Sequence, residues 1–218
     1  VARRLAAVLF DLDGTLVDTE KLWANALTEL AARYGGVLTD AVRAEMVGGS
    51  LGFMFRTLSG HLGRPDLDVT EGSAWLENRV RELFADGVVW RSGARELVEA
   101  VRSAGIPTGL VTNTNRPLVE VTLPTLGQFD VVVCGDDVER PKPDPQPYAY
   151  AAARLGVDPR DCVAIEDSPV GVLSARSAGC AVIAVPNEVP LYDVDGLVVG
   201  NLLDVDLSTL EAVVRAEP

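Results

Sequence analysis

VLFDLDGTLVDTE, residues 8–20, is the stretch on which the fold turns. An apolar run stops abruptly at Asp11, Asp13 follows two positions later, and Gly14-Thr15 makes a turn. A short apolar run closed by turn residues reads as a buried strand, here Ala6–Phe10. Two carboxylates at the end of such a strand repel each other unless a positive group lies between them. The opening VARRLAAVLF has two arginines before an apolar run, as a leader would. That run, Leu5 to Phe10, falls short of the roughly 7–15 residues of a leader core, and no small-residue cleavage site follows.

The chain has 218 residues, 48% of them apolar, enough for one large domain or one domain with an insertion. No apolar stretch approaches the length of about 18 residues that a membrane helix needs. The net charge of −13 speaks against nucleic acid and against an anionic membrane surface. Cys134, Cys162 and Cys180 lie in apolar segments without ligand spacing, so they read as reduced buried thiols of a cytoplasmic protein. The single histidine, His61, sits in a polar stretch and reads as solvent-exposed. A metal site would therefore be built from carboxylates, which suits a hard ion such as Mg²⁺. Of the 19 basic residues only Lys21 and Lys142 are lysine. In so arginine-rich a chain, a lysine is suspect of being needed as a compact ammonium.

Further strands are expected at Thr108–Thr112, Val131–Cys134, Cys162–Ile165 and Ala181–Val185. Helical spacing lies between them at Ala94–Ala104, Pro117–Leu126, Pro145–Leu155 and Val170–Ala178. Pro117, Pro145 and Pro169 stand where helices begin, and Gly105 and Gly179 where they end. This alternation predicts an α/β fold, a doubly wound parallel sheet with helices on both faces. It is interrupted after the first strand by helical patterns at Thr19–Tyr34, Ala41–Val47, Leu51–Leu62 and Ser73–Phe84. The expected organisation is a core of residues 1–16 and 88–218 with a small helical cap, residues 17–87, inserted into it.

Ligands of doubly wound sheets bind beyond the carboxyl ends of the strands. Polar groups collect there after four strands: Asp11 and Asp13; Thr112-Asn113-Thr114-Asn115; Gly135-Asp136-Asp137 and then Pro141-Lys142-Pro143-Asp144-Pro145; and Glu166-Asp167-Ser168. Acids, an ammonium and a hydroxyl around a common space suit a phosphate, whose transfer depends on positioning and charge neutralisation. Other duties compete for some of these residues. Glu166, Asp167 or Ser168 would cap the helix at Pro169, and Asp144 the helix behind Pro145. Asp18 reads as support for the turn into the cap, Arg116 as equally a surface residue or a substrate contact, and Asp136 and Asp137 as structural or supporting acids.

FDLDGTLVDT, LVTNTN, PKPDP and IEDSPVGVLSARSAG, in that order, resemble the haloacid dehalogenase-like superfamily, in its phosphatase and β-phosphoglucomutase-like branch with a helical cap. The resemblance spans the chain and implies a Rossmann-like core. It implies Asp11 as a nucleophile forming an aspartyl-phosphate, and Asp13 as the acid and then base for leaving group and water. Thr112, Asn113 and Lys142 would hold the phosphoryl group. Mg²⁺ would be held by Asp11, the Asp13 carbonyl and Asp167, with Glu166 a direct ligand or one step behind. Trp23, Gly49 and Ser50, with Arg56 beside them, would face substrate from the cap.

Within that family the acid at Asp13 favours phosphoryl chemistry over dehalogenation, and the scarcity of cap lysines disfavours phosphonate cleavage. Mutases of the branch carry a cap histidine where this chain has Trp23, so a phosphatase is expected over a sugar phosphomutase. Leu51 and Gly52 stand where an arginine often follows the Gly-Gly-Ser loop, which weakens recognition of a second anionic group. The expected partner is a small phosphorylated metabolite, met by a monomer or homodimer. A non-catalytic binding module on the same fold is the reading from another class, and the presence of Asp11, Asp13 and Lys142 argues against it.

Overall fold

The computed structural model describes residues 3–191, 194 and 196–216. Five strands, β1 (Ala7–Phe10), β2 (Thr108–Val111), β3 (Val131–Val133), β4 (Cys162–Glu166) and β5 (Ala181–Ala184), lie within a residue of the expected runs at each end. A sixth, β6 (Leu197–Val198), is a two-residue exposed edge. Helices α1 (Glu20–Arg33), α2 (Asp40–Met46), α3 (Leu51–His61) and α4 (Val69–Ala85) intervene between β1 and the helix α5 (Ala94–Ser103). The remaining helices are α6 (Arg116–Leu126), α7 (Gln146–Leu155), α8 (Pro169–Ala178) and α9 (Leu207–Ala216).

All strand pairs are parallel, in the order β3-β2-β1-β4-β5-β6. This is the doubly wound α/β fold the alternation predicts. The chain moves from β1 outward through β2 and β3, then returns to the other side of β1 at β4, so the switch point lies beside β1. Ligand crevices open at such points because the loops diverge to opposite faces. Successive β1 residues serve opposite layers: Val8 and Phe10 join one apolar cluster, Ala7 and Leu9 the other. Burial on both faces is why the run carries no polar alternation.

The cluster containing Phe10 continues through Leu12, Leu16 and Val17 into Leu27 and Leu30 of α1, Phe55 of α3 and Leu76, Val80 and Phe84 of α4. The two connections to these helices run side by side. Asp18 N donates to Val89 O at 2.8 Å, Arg91 N donates to Leu16 O at 2.9 Å, and Val17 bridges Trp90 antiparallel. α4 begins four residues before the sequence pattern suggests, because Asp68 accepts from the N–H groups of Thr70 and Glu71 at 2.7 and 3.1 Å and nucleates the turn. Among the described residues no helix is long and apolar enough to cross a membrane.

Candidate active site

The ends of β1, β2 and β4 and the loop before α7 bring Asp11, Thr112, Asp167 and Lys142 to one cleft, which Asp13, Gly14, Asn113 and Thr114 also line. Lys142 organises it. Its side chain is 2% exposed, and Nζ donates to Asp11 Oδ1 at 2.7 Å, to Glu166 Oε1 at 2.6 Å and to Val111 O at 2.8 Å. All three donor directions of the ammonium are used. The two acids hold its proton, raising its pKa against the opposing effect of burial.

Asp11, Glu166 and Asp167 are buried, with carboxylate oxygens within 4.8 Å of one another. One ammonium does not neutralise three acids. Burial pushes Asp11 up to about 7, opposed by Lys142 and assisted by Glu166. Burial, then Asp11 and Glu166, push Asp167 well above the usual range. The cluster therefore lacks positive charge, and its all-oxygen donors suit a hard divalent cation. Asp11 and Asp167 line the cleft, whereas Glu166 stands behind them, fully exposed to none of it. Its Oε1 accepts from Lys142 and from Tyr148 Oη at 2.7 Å, and its Oε2 from Asp167 N at 3.2 Å and Ser168 Oγ at 3.3 Å. With those acceptor sites occupied, Glu166 is suited to holding Lys142 rather than to meeting an ion.

Raised carboxyl pKa values have a consequence for the protein without divalent cations. The folded state then holds a proton on Asp11 that the unfolded chain has already lost, so stability is present at low pH and falls as pH rises from about 4 to about 7. Melting temperature in the presence of a chelator should decline across that window. Added divalent cation should flatten the slope.

Asp13 is turned toward the helices. Its Oδ1 accepts from Thr19 Oγ1 at 2.7 Å and Trp23 Nε1 at 2.9 Å, and its Oδ2 from Thr114 Oγ1 at 2.6 Å. The Trp23 indole packs edge-on against Phe84, with centroids 6.2 Å apart. Thr114 lies in the loop expected at this edge of the sheet, but its bond to Asp13, 101 residues away, and that of Thr19 are seen only in the folded chain. Gly14, at φ 77°, gives Asp167 room: a Cβ there would stand 2.0 Å from Asp167 Oδ2. Arg91, also unforeseen, donates to the Gly14 carbonyl and so fixes the turn after Asp13.

The carboxamide of Asn113 is committed to the backbone. It accepts from Lys142 N at 2.9 Å and donates to Lys142 O at 3.1 Å and Gly48 O at 2.8 Å. It thus positions the Lys142 loop and ties it to the loop before α3. Gly49 lines the cleft, while the Ser50 hydroxyl caps α3, accepting from Phe53 N at 3.4 Å. Ser168 is the cap of α8, accepting from Gly171 N at 3.1 Å, which leaves Glu166 and Asp167 for other work. Ser168→Ala removes that cap and a donor to Glu166, and should lower the unfolding free energy by about 1–2 kcal/mol in denaturant titration.

The remaining candidates do not line the cleft. Asp136 accepts from Arg116 N at 2.8 Å, Asp137 pairs with the Arg116 guanidinium, and Asp144 accepts from Gln146 N at 2.9 Å. His61 is exposed and meets Glu45 at 3.1 Å. The three cysteines are free and buried, and burial pushes Cys134 and Cys162 up to about 12, too high for a reactive thiolate.

A doubly wound sheet carrying a lysine-centred cluster of acids at its switch point defines a hydrolase core of one recognisable class. The chain belongs to the haloacid dehalogenase-like hydrolase family, whose model matches residues 5–179. It is 34% identical over 207 residues to hexitol phosphatase A of Escherichia coli strain K12, covering 91% of this chain and 92% of that protein. It is 36% identical over 186 residues to the phosphorylated carbohydrates phosphatase of Thermotoga maritima, covering 80% and 82%. Among solved structures, CbbY from Rhodobacter sphaeroides in complex with phosphate is similar with a TM-score of 0.83 at 28% identity, over 94% of this chain and 99% of that one.

Proposed function

We propose that this protein is a Mg²⁺-dependent phosphatase that hydrolyses a small phosphorylated metabolite, of the sugar-phosphate kind, through an aspartyl-phosphate on Asp11. The observation that carries the reading is the pairing of two differently placed acids on one short loop. Asp11 lies against Lys142, while Asp13 reaches across the cleft to Thr19, Trp23 and Thr114. The names of the relatives support the substrate class. We further infer a core of residues 1–16 and 88–218 with residues 17–87 as its cap. The paired connections at Leu16–Asp18 and Val89–Arg91 support that division.

Asp11, Asp167 and the Asp13 carbonyl would hold the metal, which when bound supplies positive charge to the phosphoryl oxygens and to the acids around them. Lys142 orients Asp11 through its hydrogen bond and sets its positive charge beside the phosphoryl group, to which the Thr112 hydroxyl donates a hydrogen bond. Asp11 attacks phosphorus, and the leaving oxygen takes a proton from the Asp13 carboxyl. Asp13, now a carboxylate, draws a proton from water, which attacks phosphorus and frees Asp11. The indole N–H of Trp23 is a donor only, so it holds Asp13 without exchanging a proton with it. The cap closes over the cleft and excludes bulk water during these steps. Three unpaired buried thiols suit the reducing cytoplasm, where we place the protein as a monomer or homodimer.

The test is phosphate release from a generic aryl phosphate with and without Mg²⁺. Turnover that survives both chelation and Asp11→Asn would sink the mechanism. Supplying hexose phosphates separates the mutase reading: isomer conversion with little free phosphate would overturn the choice of hydrolysis. Trp23→Phe keeps the packing against Phe84 and deletes the N–H. It should lower kcat by roughly 10-fold with KM little changed, since the lost bond acts on Asp13 and not on bound substrate.

A further inference from the structure

The cleft extends beyond the acids into a chamber that the chemistry above leaves unused. Leu27, Met46 and Val47 give it apolar lining, and Glu20, Arg43 and Glu188 charged lining. Arg43, on α2, pairs with Glu188, which lies after β5, so the pair spans the cleft from the helices to the sheet. Glu188 keeps only 13% of its side chain exposed and Arg43 31%, so water screens the pair little. Glu20 has one carboxylate oxygen, Oε1, buried without a partner among the described residues.

The charges of the chamber are therefore two acids against one base. The lining offers a ligand two cationic side chains, Lys142 and Arg43, and each is already held by a carboxylate. A leaving group carrying a second phosphate or a carboxylate would have to pull Arg43 from Glu188 and then sit beside Glu20 and the freed Glu188. Arg91, the other cation that acts on Glu20, is held at the Gly14 carbonyl. An uncharged alcohol with several hydroxyls meets no such obstacle. Its O–H groups would donate to the carboxylates, and its C–H groups would meet the apolar lining.

We propose that the Arg43–Glu188 pair makes this chamber selective for phosphate monoesters of uncharged, polyhydroxylated alcohols and excludes substrates with a second anionic group. This rests on the phosphatase reading for the chemistry at Asp11, and the exclusion concerns the leaving group alone. Arg43 and Glu188 are specificity-determining residues that act away from phosphorus.

The experiment compares kcat/KM for a hexitol monophosphate with that for the corresponding hexitol bisphosphate. Wild type should prefer the monophosphate by at least about 100-fold. Glu188→Gln frees the Arg43 guanidinium and should reduce that preference at least about 10-fold, mainly by raising bisphosphate turnover. Arg43→Met, which frees no cation, should keep the preference. A wild-type preference below about threefold, or one that Glu188→Gln leaves unmoved, overturns the proposal. A merely damaged site would slow both substrates together and leave the ratio unmoved. Calorimetric titration of the Asp11→Asn protein with the same two compounds gives the ratio as binding constants, with no turnover needed. Aryl phosphate hydrolysis reports on the phosphatase reading by itself, so failure of one inference is distinguishable from failure of the other.

Discussion

Asn in place of Asp11 should lower kcat/KM for any phosphate ester by at least about 10⁴-fold, since an amide cannot stand in for the attacking carboxylate. The same substitution should leave the metal-free protein as stable as wild type or more so. Asp11 is 7% exposed, and its burial as a carboxylate is unfavourable enough to push its pKa to about 7. The amide keeps the shape and removes one of three crowded acids. Activity and stability thus move in opposite directions, a combination that a misfolded variant does not produce. Steady-state assays and thermal melts in chelator, run on one preparation, check both halves. A melting temperature well below wild type would show that Asp11 is needed for the fold, and would remove the argument that the cluster is over-charged.

Lys142→Met should fail in both respects. The side chain is buried between Asp11 and Glu166, and its Nζ also lies 5.1 Å from the Tyr148 ring centroid. Removing one partner of a buried ionic cluster leaves charges uncompensated and costs about 3–5 kcal/mol. The shift in denaturant midpoint should show this at neutral pH. Because the stranded acids can take up protons, the deficit should shrink as the pH is lowered. A divalent cation should stabilise the variant more than it stabilises wild type, as it replaces the positive charge lost from the centre of the cluster. Phosphatase activity should fall at least about 10³-fold, because Asp11 loses its orientation and the phosphoryl group its ammonium. A variant with wild-type stability would mean that the three acids are already neutral without the lysine, contrary to the geometry.

The sheet was legible because parallel strands buried on both faces appear as unbroken apolar runs, and each of the five longer strands ends at a polar residue or a turn. β6 escaped notice since two exposed residues, Leu197 and Val198, have no pattern to recognise. α9 carries an apolar stripe but lies beyond the last motif and was not singled out. The start of α4 was placed late at Ser73. Gly72, a helix-weakening residue, sits in the first turn because a Cβ there would stand 1.9 Å from the Phe55 ring. The acids and the lysine of the cleft were readable as loop residues at strand ends. Their partnerships were not: Thr114 stood out as a loop residue but not as a partner of Asp13, and Thr19, Arg43 and Glu188 meet their partners through proximity across the fold that no local pattern marks.

The two strands of chain that join the helices to the sheet leave and re-enter within hydrogen-bonding distance of each other. On the proposed division, the inserted helices enter and leave their host at one place. Because Asp18 N donates to Val89 O at 2.8 Å, a turn of a few residues would join the two connections, with Leu12 and Leu16 then losing their cover from the helices. Gene segments coding for different helices could be exchanged at this junction while Asp11, Lys142 and Asp167 kept their places. Asp11, Lys142 and Asp167 stay on the sheet side of that junction, whereas the Arg43–Glu188 pair reaches across it.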